Sequence, residues 1–89
     1  MTTTFDFQDG NGPVPAHRHS NGGGWVADTA RVAETATVKR EACVFGNALV
    51  YGNAVVSDDA RVYGDARVYG DARVYGNARV SGNAQEMGK

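Results

Sequence analysis

From Val26 onward an apolar residue returns every six positions, and the residues between are mostly polar or small. Written in sixes the chain runs VADTAR, VAETAT, VKREAC, VFGNAL, VYGNAV, VSDDAR, VYGDAR, VYGDAR, VYGNAR, VSGNAQ to Gln85, without insertion or deletion. All ten first positions are Val and all ten fifth positions are Ala. A helix needs apolar residues at alternating spacings of three and four, and a constant six drifts around its surface. Strands instead turn successive side chains to opposite faces, so a Val between polar neighbours reads as the one inward side chain of a short strand. Gly-Asn, Gly-Asp and Asp-Asp at the third and fourth positions mark a bend, because these residues tolerate the left-handed backbone of tight turns. Ala at the fifth position is small enough to sit inside that bend. Each hexad is then one strand and one corner.

One hexad cannot bury its own Val, whereas stacked coils place Val on Val and Ala on Ala in a continuous column. The ten repeats resemble the hexapeptide-repeat family, whose members form a left-handed parallel β-helix of triangular section with three hexads to a coil. The resemblance covers residues 26–85 and implies an all-β fold, a short left-handed parallel β-helix in the form of a triangular prism. The left hand rests on the resemblance alone, since crossover connections are ordinarily right-handed. At roughly 4.8 Å per strand, the three and one third coils make a prism about 16 Å tall. Such a stack has open strand edges at both ends. Residues 1–25, expected as an irregular N-terminal arm, and the tail 86–89 are the segments available to cap it.

With three hexads to a coil, residues eighteen apart stack, and each strand shows solvent the residues on either side of its Val. The first face carries Trp25 and Ala27, Cys43 and Phe45, Arg61 and Tyr63, Arg79 and Ser81. The second carries Arg31 and Ala33, Leu49 and Tyr51, Arg67 and Tyr69, and the third Thr37 and Lys39, Val55 and Ser57, Arg73 and Tyr75. Cys43, Phe45, Leu49, Tyr51 and Val55 of the middle coil are all outward yet mostly apolar. A contiguous apolar band on a surface marks an interface. The family resemblance implies a homotrimer with parallel axes, its contact expected at the corner Gly46-Asn47-Ala48 between Phe45 and Leu49.

The arm holds both histidines, both prolines, the glycine triplet 22–24 and the single Trp. Phe5 and Phe7 alternate with polar residues as in a short strand, Pro13-Val14-Pro15 should be extended, and the glycines let the chain turn into the first coil. His17 and His19 point the same way in an extended segment and supply two metal ligands. No third ligand is evident, so neither metal nor cofactor is expected. The resemblance implies three histidines within and between coils for a carbonic anhydrase, and a chain with two, both outside the coils, is excluded from that activity.

Unlike the repeats, the arm offers a unique address. His17, Arg18, His19, Asn21 and Trp25 form a candidate site for a small anionic, nucleotide-like ligand, supported by Arg61, Tyr63, Arg67 and Tyr69 of a neighbouring helix. Because the Arg and Tyr pattern recurs on every face, its first role is structural, with Arg lying over Tyr or pairing with Asp59, Asp65 and Asp71.

The 89 residues carry a net charge of -1, which gives no field to gather a nucleic acid polymer or an anionic membrane. Cys43 is the single cysteine, the opening residues do not form a signal peptide, and no apolar stretch is long enough to span a bilayer. A cytoplasmic location follows as the expectation. The function expected is that of a non-catalytic homotrimeric scaffold and binding protein. The alternative is an acyltransferase-like enzyme with His17 or His19 as general base, although the loop and C-terminal extension that complete such sites in the family are missing here.

Overall fold

A computed structural model describes residues 3–7, 10, 12–82 and 85–87. Among them are thirteen short strands and no helix. The arm forms β1 (Thr4–Asp6) and β2 (Pro13–Arg18). Each hexad then opens on a strand centred on its Val: β3 (Trp25–Ala27), β4 (Arg31–Val32), β5 (Thr37–Val38), β6 (Cys43–Val44), β7 (Leu49–Val50), β8 (Val55–Val56), β9 (Arg61–Val62), β10 (Arg67–Tyr69), β11 (Arg73–Val74) and β12 (Arg79–Val80). β13 (Gln85–Met87) follows, pairs in parallel with β10, and so carries the ladder two residues beyond Gln85 into the segment expected as a tail.

The repeat strands make three parallel sheets, in the orders β3-β6-β9-β12, β4-β7-β10-β13 and β5-β8-β11. Register follows the repeat, with Trp25 on Cys43, Cys43 on Arg61 and Arg61 on Arg79, and the same spacing in the other two sheets. The fold is therefore an all-β solenoid of about three coils. Its axis is filled by Val26, Val38, Val44, Val50, Val56, Val62 and Val68, all fully buried, with the fifth-position alanines from Ala36 to Ala66 packed between them. Val32 is the axial valine that is only partly buried.

Corners obey two chemistries. In later coils the third residue is glycine with φ near +65°, as at Gly46 (φ 69) and Gly64 (φ 66). A Cβ on Gly46 would lie 2.8 Å from the Gly64 nitrogen, so coil spacing demands glycine as firmly as the backbone angle does. Asp58 is the described non-glycine residue with positive φ (58), and its carboxylate accepts a hydrogen bond from the Gly76 N–H below it at 3.1 Å. In those glycine corners the fourth residue's N–H reaches the next coil, as from Asn47 to the Gly64 carbonyl at 2.9 Å. The first coil lacks glycine there. Thr29 and Thr35 stand at the fourth positions, and their hydroxyls donate to the carbonyls of Gly46 and Gly52 instead.

The arm is not irregular. β1 and β2 form an antiparallel hairpin, and β2 adds antiparallel to β3 with Ala16 opposite Ala27, extending the first sheet to six strands. Alternating Pro13-Val14-Pro15-Ala16 suits this place: proline holds the backbone extended, and the Pro15 carbonyl still accepts from the Asp28 N–H at 2.9 Å. The segment 19–24 then crosses onto β5, where Gly24 N–H bonds the Val38 carbonyl at 2.8 Å and Val38 N–H bonds the Asn21 carbonyl at 3.0 Å. A Cβ on Gly22 would fall 2.3 Å from the Val38 oxygen, and one on Gly24 2.3 Å from a Val38 methyl. The glycine run is thus a fitted contact and not a free hinge. The arm covers the outer edges of β3 and β5 and leaves that of β4 bare among the described residues.

Candidate functional site

Side chains of the arm build a second core on the outside of the first sheet. Ala27 and Ala16 face each other across the ladder, and two such small side chains leave a ring-sized gap above Phe45. Phe7 fills it, with its ring 4.8 Å from that of Phe45 and inclined by 18°. Phe45 stacks in turn on Tyr63 at 5.0 Å, while Phe5 stacks on Trp25 at 4.7 Å and meets Phe7 edge-on at 4.8 Å. The expectation that Phe45 faces solvent is corrected: it points away from the axis, but the arm reduces its exposure to 4%. Cys43 is half-buried in the same cluster. Burial pushes its thiol above the ordinary cysteine range, and the nearby Arg61 guanidinium partly offsets that rise.

The two histidines do not converge. β2 ends at Arg18, so the alternation that would align them stops before His19. His17 is about half exposed, and its Nδ1 lies 2.7 Å from an equally exposed Asp28 carboxylate. His19 is 7% exposed, and its Nε2–H donates to the Ala36 carbonyl at 2.8 Å. Arg18 donates from Nη1 to the Gly23 carbonyl at 3.1 Å, and its guanidinium lies 4.7 Å from the centre of the Trp25 ring. Asn21 contributes its backbone carbonyl to Val38. Each member of the expected arm cluster therefore helps to fix the arm. Arg18 and Trp25 meet, whereas His17 stands at the corner of the first coil and His19 is buried against Ala36. Among the described residues no three His, Cys, Asp or Glu side chains gather to hold a metal ion.

Outward columns elsewhere stack ring on ring. Tyr51 lies on Tyr69 at 5.1 Å with planes 6° apart, as Phe45 lies on Tyr63, and the cation–π contact among the described residues is that of Arg18 with Trp25. The expected cover of Arg over Tyr is corrected accordingly. The reason is register: identical positions eighteen apart superpose, so aromatic falls on aromatic and Arg61 on Arg79. Arg67 lies beneath Leu49 and above Gln85, whose amide oxygen accepts a long hydrogen bond from the Tyr69 hydroxyl at 3.5 Å. Tyr51 and Tyr75 remain exposed, at 40% and 65%.

Phe7 is expected in a short strand and Ala27 on an outward face, but their meeting above Phe45 escaped the sequence reading, which singles out neither Ala16 nor Asp28. The signal for that meeting was the second position of the hexad, which is Ala at 27 and 33 where the coils below carry Phe45, Tyr51, Tyr63 and Tyr69. Between arm and corner, Ala27 and Asp28 line a crevice of about 260 Å³ together with Val14, Pro15, Thr29, Phe45 and Gly46.

The family model described as YdcK beta solenoid repeat matches residues 42–58, 60–74 and 72–88, more than half of the chain. The chain belongs to this family. The match begins at residue 42, so it covers the later coils and leaves the arm and the first coil outside the matched residues. No curated protein and no solved structure matches the chain significantly.

Proposed function

We propose that this YdcK-type solenoid is a non-catalytic, homotrimeric scaffold and binding protein of the cytoplasm, its coils winding left-handed around a triangular section. One observation carries the reading: the apolar band of the middle coil divides in two. Phe45 is covered by the arm and Cys43 is half-buried beside it, while Tyr51 is exposed and Leu49 and Val55 are partly exposed on either side of the corner Gly52-Asn53. That corner replaces Gly46-Asn47-Ala48 as the proposed subunit contact, because exposed apolar side chains gain most from being covered by another copy. A small anionic ligand would be held by Arg18 above Trp25, with Arg61, Tyr63, Arg67 and Tyr69 of an adjoining subunit as supporting contacts. No cofactor is required. Native mass spectrometry of protein purified without denaturation is expected to give a trimer, and Leu49→Asp together with Val55→Asp a monomer that keeps its β signal. A parent protein that flies as a monomer overturns the reading.

The pairing of His17 with Asp28 favours a second reading, an acyltransferase-like activity. A carboxylate at 2.7 Å orients the imidazole and leaves Nε2 free to act as general base beside the apolar crevice. Acetyl-coenzyme A turnover by the parent, lost in His17→Ala and in Asp28→Asn, would establish it. Turnover that survives His17→Ala removes it.

A further inference from the structure

We propose that the outer edge of β4, together with the ledge formed by Ala33 above Tyr51, docks an extended segment of another polypeptide. The segment would carry an aromatic residue followed two positions later by an acidic one. The argument starts from the first sheet, where the chain supplies its own example of such a complex. There β2 adds to the edge of β3, Ala27 stands over Phe45 in register, and the ring of Phe7, which follows β1, occupies the space that Ala27 and its β2 partner Ala16 leave.

The second sheet has the same parts without the occupant. Arg31 and Val32 pair with Leu49 and Val50, which puts Ala33 over Tyr51 as Ala27 is over Phe45. Tyr51 stacks one ring face on Tyr69, so its other face looks toward the β4 edge, and the side chain remains 40% exposed. Arg31 and Ala33 direct their N–H groups to Ala48 and Val50 of the next coil. The alternation of a strand then aims the N–H and C=O of Val32 the other way, toward the bare edge. The corresponding groups of Val26 face His17 in β2. No described residue pairs with the outer side of β4, and Val32 is the axial valine that is only partly buried. Unpaired backbone groups, an incompletely covered valine and an open ring face coincide at one place, and strand addition satisfies all three.

Register also defines the visitor. An antiparallel strand placed as β2 is placed would set one residue over Ala33 and, two residues later, one over Arg31, as Ala16 lies over Ala27 and Arg18 over Trp25. The first stands where Ala16 stands in the first sheet. A single added strand has no outer neighbour to supply a ring as Phe7 does, so its own side chain must reach over the alanine ledge to the Tyr51 ring, which fits an aromatic residue. The second meets an exposed guanidinium where the first sheet has an indole, which fits a carboxylate. The β4 edge faces the end of the solenoid; the site shares Tyr51 with the lateral contact proposed for the trimer, but its backbone edge, Ala33 and Arg31 lie outside that contact.

The probe is the fluorescein-labelled peptide Thr-Phe-Val-Glu-Thr, followed by anisotropy. Saturable binding by the parent is expected, weakened at least about tenfold by Ala33→Tyr, which fills the ledge with the residue type already present at 51 and 69. Arg31→Glu should transfer the preference to the peptide with Lys in place of Glu. The Val55→Asp protein, altered in the third sheet at the lateral contact and not beneath Arg31 or Ala33, should bind as the parent does, so failure of the trimer and failure of this site can be told apart. Absence of saturable binding, or equal binding by parent and Ala33→Tyr, overturns the proposal. Self-association of the parent that Ala33→Tyr abolishes also overturns it, because the occupant is then a second copy of this chain.

Discussion

Val68→Asp is expected to remove the β signal in circular dichroism at room temperature, while Arg67→Asp, one residue away, leaves it in place. Val68 is fully buried beneath Val50 in the second sheet, with alanines of the corners packed around it. A carboxylate there is shut off from solvent among valines and alanines, and burying it costs several kcal/mol, about the whole stability of a domain this small. Protonation lowers the cost without removing it, since a neutral carboxyl still needs hydrogen bonds that valine and alanine cannot supply. Arg67 points away from the axis and is exposed, so the same substitution at that position changes only a surface charge. A Val68→Asp protein that melts like the parent would mean that the inward and outward positions are exchanged, because a slip of one residue turns every side chain of a strand to the other face.

What the repeat expresses, it expresses everywhere, and the axial core could be read from it directly. One inward Val and one corner Ala per hexad are local features repeated in register, so Val44, Val50 and Val56 needed no knowledge of distant residues. The arm is different in kind. Phe7 reaches Phe45 only because β2 lies on β3 and because Ala16 and Ala27 both leave room. That is a contact between non-repeating residues far apart in the chain, and periodicity carries no trace of it. His19 illustrates the same limit from another side. Strand alternation aligned it with His17, but β2 stops at Arg18, and the turn that follows buries the imidazole against Ala36. The first-coil corners were partly concealed as well. Thr29 and Thr35 do with a hydroxyl what Asn47 and Asn53 do with a backbone N–H, so a sequence difference hides a shared hydrogen-bonding role.

Ala27→Tyr is expected to undock the arm while leaving the solenoid folded. Tyrosine is the residue that the chain itself places at this position of the hexad in the lower coils, at 63 and 69, and the backbone of a strand accepts it. Its ring would stack on Phe45 and occupy the space now held by Phe7, and forcing both rings into one gap costs about 1–3 kcal/mol. The Val column lies on the opposite side of β3 and is untouched, so the β signal should persist. Cys43 reports the outcome. In the parent its thiol is held above the ordinary range by burial, so little thiolate is present at neutral pH and alkylation is slow. Once the arm leaves, the burial that raises the value diminishes while Arg61, which lowers it, stays in place. Alkylation should accelerate, and its midpoint should move to lower pH. Phe7→Ala uncovers the same cluster without overfilling the gap, and it should shift the midpoint in the same direction. If both variants alkylate at the parent's rate and midpoint, then Cys43 is shielded by Trp25 and the sheet alone, and the arm has no part in closing this face.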